Sequence, residues 1–320
     1  MSAVQATSSS ELTMAVIGCG TMGIAILSGI LASTSSSTPS SSDQPARIPT
    51  KFYACVKRPQ TAEKLKATFS SYESKVFPTA AANVPSAQAS DIVLLACKPY
   101  MVKDVLSEPG MAAALNGKLL ISILAGVTEV QLKNYLAEAN GGVPLDSTRI
   151  MRAMPNTASL IRESMTVIGV TTPPLASEDL ELATWIFKQI GEVVHLPPSN
   201  MDVSTSLCGS GPAFFALVLE AAADGAVAMG LPRAEAIKMA AQTMKGAAGL
   251  VLNGDHPALL RDKVSTPGGC TIGGLLVLEE GRVRGAVSRA VREATVVASQ
   301  LGQGVQGVNG TRFPTNGGFQ

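Results

Sequence analysis

A short apolar run, Thr13 to Ile17, leads directly into Gly18-Cys19-Gly20-Thr21-Met22-Gly23, and Ile24 to Leu31 continues as a helix. Few features narrow the choice of fold more. Gly18 makes a tight turn, Gly20 lets a backbone approach a pyrophosphate, and Gly23 lets the helix lie close on the strand. This strand–turn–helix setting predicts an α/β unit. It assigns Gly18, Gly20, Thr21, Met22 and Gly23 to the binding of a dinucleotide.

The stretches that follow suit a parallel sheet. Lys51 to Val56, Asp91 to Ala96 and Leu119 to Ile123 read as strands. The last two are continuously apolar after Asp91, as in strands buried on both faces. Arg149 to Ala153, Met165 to Val170 and Glu192 to His195 read as further strands. Leu175 to Ile190 reads as an amphipathic helix with Trp185 and Phe187 in the core. In open α/β sheets the ligand lies outside the carboxyl ends of the strands. Cys97-Lys98-Pro99 and Leu124-Ala125-Gly126-Val127-Thr128 stand at two such ends. The second strand ends in Lys57-Arg58, where a carboxylate would read the ribose of NAD. Two cations suit the 2′-phosphate of NADP instead; an exposed basic pair on a loop is the alternative. Residues 1–12 read as a disordered lead-in, and the Ser-rich residues 33–49 as a polar insertion without core-forming residues.

From Asn200 the character changes. Met201 to Met229, Arg233 to Leu252 and Ala286 to Leu301 read as helices, the first two rich in alanine. The expected division is a dinucleotide-binding domain over 13–197, a helical domain over 198–302 and a loose tail over 303–320. These helices are too apolar for a monomer, which predicts a helical dimer interface. A formal net charge of +1 with no basic stripe argues against nucleic acid. No uninterrupted apolar run long enough to span a bilayer is evident. Five scattered cysteines without a CxxC pair suit free thiols in a reducing compartment. Met1 to Thr13 has neither an arginine nor a hydrophobic run, so no transit or secretory peptide is expected, and the expected location is cytoplasmic. Two histidines without a His/Cys cluster predict no metal site.

A second glycine-rich stretch lies in the helical half: Ser265-Thr266-Pro267-Gly268-Gly269-Cys270-Thr271, running into the apolar segment Ile272 to Leu278. Proline fixes one backbone angle and paired glycines open conformations closed to other residues. The expected product is a bent loop at a helix start, with N–H groups turned one way to receive a carboxylate or phosphate. Thr271 adds a hydroxyl beside that anion.

With these motifs in the same order, the chain resembles the delta-1-pyrroline-5-carboxylate reductase family between Thr13 and Leu301. Asp262 to Glu279 carries the most specific part. Ala96-Cys97-Lys98-Pro99, Ala125 to Thr128, Arg152 to Thr157, Gly209 to Ala213 and Gly230 to Arg233 support it. The resemblance implies a Rossmann-like N-terminal domain followed by an all-helical C-terminal dimerisation domain. It implies reduction of the cyclic imine 1-pyrroline-5-carboxylate to L-proline by NADPH, with NADH possible, in a homodimer or larger homo-oligomer. It places the dinucleotide on the Gly18–Gly23 loop, with Arg58, Asn83, Ala96, Lys98, Pro99 and Ala125. It places the substrate carboxylate on the loop of Ser265, Gly268, Gly269 and Cys270, and the ring nitrogen against Thr271, the catalytic candidate.

Three features depart from the family pattern. Pro197-Pro198-Ser199 stands where many relatives carry an acidic residue, with Asp202 further on; Cys270 stands where alanine or threonine is usual; and the insert 33–49 has no assigned role. Asn156 and Thr157 either face the nicotinamide pocket or form a turn. His195 and His256 read as surface histidines. A β-hydroxyacid dehydrogenase would need a lysine after Gly209-Ser210-Gly211, where Phe215 stands. A dinucleotide-sensing regulator would have no use for the 265–271 loop.

Overall fold

The computed structural model describes residues 11–35, 44–171, 173–303, 305, 307, 308 and 311. The lead-in up to residue 10, residues 36–43 of the insert and most of the tail lie outside the described residues. The chain forms two compact units. One comprises residues up to Gly209 together with those from Thr295 onward; the other runs from Ser210 to Ala294.

The first unit is built on an eight-stranded sheet in the order β3-β2-β1-β4-β5-β6-β7-β8. The strands are β1 (Glu11–Ile17), β2 (Ile48–Val56), β3 (Val76–Ala80), β4 (Ile92–Leu95), β5 (Leu119–Ser122), β6 (Arg149–Met154), β7 (Ser164–Gly169) and β8 (Gly191–Leu196). Neighbours pair in parallel from β3 through β6; β6 and β7 are antiparallel, and β7 pairs in parallel with β8. The helices α1 (Thr21–Ser35), α2 (Pro59–Thr68), α3 (Asn83–Gln88), α4 (Glu129–Ala139) and α5 (Ser177–Lys188) connect them.

Strands β4 and β5 are buried at every position. The sheet therefore carries two apolar layers. One gathers Met14, Ile26, Ile30, Phe52 and Phe187; the other gathers Ile17, Val93, Leu120 and Leu132. Each continuously apolar strand supplies side chains to both, which is why such runs lack alternation. Trp185 packs against the first layer beside Phe187.

Several boundaries move. β1 begins at Glu11, inside the expected lead-in, because Glu11 and Leu12 pair with Ile48 and Pro49. The expected insert is shortened from both ends. Ser33 to Ser35 complete α1, where their hydroxyls donate to the carbonyls of Ile30 and Leu31. Ile48 and Pro49 already belong to β2. β3 has no counterpart among the strands expected from the sequence: it pairs with β2 alone and is fully buried only at Val76.

The second unit is helical: α6 (Gly211–Ala228), α7 (Arg233–Leu252), α8 (Pro257–Val264), α9 (Cys270–Glu280) and the first part of α10 (Val283–Gly302). α6 and α7 pack on each other and are tied by an Arg233–Asp224 ion pair. Very little of this unit is buried. Ala223 and Ala236 are enclosed, while Leu217 is 67% and Leu252 83% exposed. The helical stretch Pro198–Ala228 is long and apolar enough to cross a membrane by length and composition. Its longest run of large apolar side chains, Phe214 to Leu219, is short, and Asp202, Glu220 and Asp224 interrupt the stretch.

Candidate active site

The glycine turn after β1 has a separate physical reason at each glycine. Gly18 has φ +82°, and a Cβ there would lie 2.5 Å from the Cα and backbone N of Cys97. The end of β1 thus touches the end of β4 at backbone level. The N–H groups of Gly18 and Cys19 both donate to the Cys55 carbonyl, at 3.0 and 2.9 Å, which ties the turn to β2. A Cβ on Gly23 would stand 3.0 Å from Val16 Cγ1 and 3.2 Å from Cys19 Sγ, so α1 lies as close to β1 as it can. Gly20 differs: a Cβ there would meet nothing nearer than the Gly18 carbonyl at 3.9 Å.

The space above Gly20 is open, and the first i→i−4 bond of α1 runs from Ile24 N to Gly20 O at 2.8 Å. The N–H groups of Thr21, Met22 and Gly23 precede it, and no acidic side chain stands in this first turn. A diphosphate fits these residues, since helix-start amides attract anions.

The other cofactor candidates leave the same edge of the sheet. Lys57 and Arg58 follow β2, Asn83 follows β3, Ala96, Lys98 and Pro99 follow β4, and Ala125 follows β5. Lys57 and Arg58 are exposed, and neither forms an ion pair among the described residues. Arg58 also supplies the N-cap position of α2, with Pro59 at the first helical position. Lys98 is exposed in extended conformation before a short 3-10 turn that Pro99 begins. The Ala125–Thr128 loop is held by a capping box. Thr128 Oγ1 accepts from Gln131 N at 3.2 Å, and Gln131 Oε1 accepts from Thr128 N at 2.8 Å. The end of α10 packs on this loop, with Leu301 Cβ 3.4 Å from the Cβ position of Gly126.

Burial pushes the Cys19 thiol up to about 12, with Cys55 adding to the rise, and pushes Cys97 up to about 11. Both thiols are neutral fillers of the turn. Burial also lowers the Arg152 pKa, against the opposing pull of Asp202 and then Glu129. Its Nη2 is buried without a hydrogen-bond partner. Asn156 caps a 3-10 turn: its Oδ1 accepts from Ala158 N at 3.0 Å, as the turn reading requires. His195 and His256 are both exposed; His195 Nε2 lies 2.8 Å from Thr184 Oγ1, and His256 Nδ1 accepts from Ala258 N.

In the helical unit, Thr266-Pro267-Gly268-Gly269 forms a tight turn in which Gly269 N donates to the Thr266 carbonyl at 3.0 Å. Gly268 has φ +68°, as the third residue of a type II turn must, with proline before it. α9 starts at Cys270 with no side chain capping it. The N–H groups of Cys270, Thr271 and Ile272 therefore open the helix uncapped, and Thr271 is half-buried. Two candidates are already engaged: the Gly269 amide closes the turn, and Ser265 Oγ donates to the Arg261 carbonyl at 2.8 Å. Ser265 and Gly269 shape the loop; Gly268, Cys270 and Thr271 present it.

A cavity of about 720 Å³ opens at the opposite, amino edge of the sheet, near Asp91, Lys118 and Arg149. Lys118 and Arg149 are both engaged there. Arg149 Nε donates to Asp179 Oδ2 at 2.6 Å, and Lys118 Nζ to the Ala87 and Gln88 carbonyls at 2.6 and 2.8 Å.

A glycine turn and basic pair on a mostly parallel sheet, followed by an uncapped Pro-Gly-Gly helix start in an apolar helical unit, define a dinucleotide-dependent oxidoreductase with a helical second domain. Residues 13–126 match the family model described as NADP oxidoreductase, coenzyme F420-dependent, and residues 198–301 match that for pyrroline-5-carboxylate reductase dimerisation. The pyrroline-5-carboxylate reductase of Lophium arboricola is 64% identical, over 95% of this chain and 98% of that protein. That of Neurospora crassa is 58% identical, over 98% of this chain and all of that protein. The crystal structure of Plasmodium falciparum pyrroline carboxylate reductase with NADP bound superposes with a TM-score of 0.72 at 26% identity, covering 91% of this chain and 98% of that one. The chain belongs to the pyrroline-5-carboxylate reductase family.

Proposed function

We propose that this chain reduces 1-pyrroline-5-carboxylate to L-proline, with NADPH as reductant and NADH as the alternative, in the last step of proline biosynthesis. The observation that carries this reading is the uncapped helix start at Cys270–Thr271, behind a type II turn, in a chain that also holds a glycine turn with open space above Gly20.

A nicotinamide held there would supply the hydride for the imine carbon, and the proton already on the iminium nitrogen would stay on it in the amine. A protonated iminium is already electrophilic, so the residues have mainly to orient it. The N–H groups of Gly268, Cys270 and Thr271 receive the substrate carboxylate without a basic side chain. Thr271 Oγ1 holds the ring nitrogen in imine and amine states alike, because a hydroxyl both donates and accepts. Gly18, Gly20, Thr21, Met22 and Gly23 take the diphosphate, and Lys57 and Arg58 the 2′-phosphate. Asn83, Ala96, Lys98, Pro99 and Ala125 line the remaining path of the cofactor.

The helical domain, 198–302, serves as the homodimer interface, and the dinucleotide domain is 13–197. Its exposed Leu217, Leu252, Leu276 and Val277 require an apolar partner, and helices of a second copy supply one. The enzyme works in the cytoplasm, where its unpaired cysteines remain thiols. The test is turnover: purified protein, the imine and either NADPH or NADH, following nucleotide absorbance and proline formed. Absence of proline with both nucleotides would refute the reading.

A further inference from the structure

Asn83 follows β3 through a strained turn. Ala81 holds φ 50°, a left-handed conformation disfavoured for a residue with a Cβ, and its N–H donates to the Val56 carbonyl at 3.0 Å. Because Val56 pairs with Ala80, Lys57-Arg58 and Ala81 to Asn83 leave the sheet side by side. The Asn83 side chain is not free to turn. Its Nδ2 donates to Glu108 Oε1 at 2.6 Å, across 25 positions of sequence. Both residues are half-buried.

An ionised carboxylate only accepts hydrogen bonds. The amide therefore has one admissible orientation, with NH₂ toward Glu108 and Oδ1 turned away. Among the described residues, no group donates to that Oδ1. What Asn83 offers a ligand is thus a lone acceptor, with a carboxylate behind it. Such a group binds an O–H or N–H and disfavours a phosphate oxygen. The basic side chains beside it have the opposite preference.

We propose that Glu108 is a positioning residue for the dinucleotide. It locks the Asn83 amide so that Oδ1 accepts from a ribose hydroxyl of the adenosine half, while the phosphate is left to Lys57 and Arg58. This rests on the reading that Asn83 lies on the cofactor path. It adds a residue outside the glycine turn and the strand ends, and a rule for which chemical group is read at that point.

The test measures NADPH affinity by fluorescence titration without imine, for wild type, Glu108→Gln, Asn83→Ala and the double variant. A glutamine at 108 can donate, so the Asn83 amide can turn over and lose its acceptor face. We expect Glu108→Gln to raise the NADPH Kd roughly five- to tenfold, the size of one hydrogen bond. The kcat at saturating NADPH and the KM for the imine should change less than about twofold. In the Asn83→Ala background, Glu108→Gln should add nothing to Kd. Equal weakening by Glu108→Gln in both backgrounds would mean a merely structural role and overturn the proposal. An unchanged Kd for Glu108→Gln, with Asn83→Ala weakened, would overturn the orientation argument alone. An unchanged Kd for Asn83→Ala would remove Asn83 from the cofactor path and the proposal with it, while imine turnover would still stand.

Discussion

Replacing Gly18 and Gly20 separately by alanine should split stability from binding. At Gly18 the new Cβ meets two obstacles. The backbone has φ +82°, and left-handed geometry costs a residue with a Cβ about 1–2 kcal/mol. The Cβ also falls 2.5 Å from Cys97 Cα and N, atoms of a strand end that no rotamer change can move. Overpacking of this kind costs about 1–3 kcal/mol. Together they amount to roughly 2–5 kcal/mol, and at about 3 °C per kcal/mol for a domain of this size the melting temperature should drop by roughly 10 °C. At Gly20 φ is not positive and the nearest atom is 3.9 Å away. Gly20→Ala should leave the cofactor-free melting temperature within about 2 °C, or raise it slightly, because alanine narrows the unfolded ensemble by about 0.4–1 kcal/mol. Its methyl group would instead occupy the open space above the turn, and the NADPH Kd should rise at least about tenfold. Thermal melts without nucleotide and fluorescence titration with NADPH read the two effects separately. If Gly20→Ala melts as early as Gly18→Ala, or binds NADPH as tightly as wild type, the assignment of open space to the diphosphate is wrong.

Thr271→Ala should raise the KM for the imine about tenfold while the NADPH Kd stays within about twofold, since it deletes one hydroxyl next to the substrate only; steady-state kinetics and titration decide, and an equal loss of both would contradict the role. The double substitution of Lys57 and Arg58 by alanine should raise the KM for NADPH about tenfold or more and that for NADH little, because only the former carries the 2′-phosphate; equal effects in initial-rate assays would remove that reading. The buried thiols make a prediction for alkali. Cys19 near 12 and Cys97 near 11 stand above the ordinary 9.0, so the folded protein holds these protons more tightly than the unfolded chain. Their contribution is complete below about pH 9 and is lost as pH rises toward about 11 and 12. Denaturant melts between pH 8 and 11 should show falling stability, and iodoacetamide at pH 8.5 should label exposed Cys270 well before Cys19 or Cys97 by mass spectrometry. Early labelling of Cys19 in the native protein would contradict its burial.

Much of this site is local chemistry, and local chemistry can be read along a chain. Gly18, Gly20 and Gly23 occupy fixed offsets between an apolar strand and a helix, and the structure puts a different demand on each. Thr266-Pro267-Gly268-Gly269 has the residues a type II turn needs, in the order it needs them, and it forms one. Strands β4 and β5 are buried throughout and apolar but for Ser122, because both faces of the sheet are covered, so their position inside the sheet was legible as well. Strand β3 was not legible. It stands at the sheet edge, contains Pro78 and Thr79, and needs only Val76 fully buried, so no run of apolar residues marks it.

The turns at Gly18 and at Pro267-Gly268 were written in the chain itself, because glycine admits a positive φ and proline fixes its own φ whatever surrounds them. That Cys97 limits Gly18, that Leu301 returns to Gly126 and that Glu108 holds Asn83 came with folding alone. Those pairings arise between residues far apart in the chain that become neighbours when strands align in register. Nothing in the composition of either partner announces the other, since the energy of such a contact exists only after the sheet has formed.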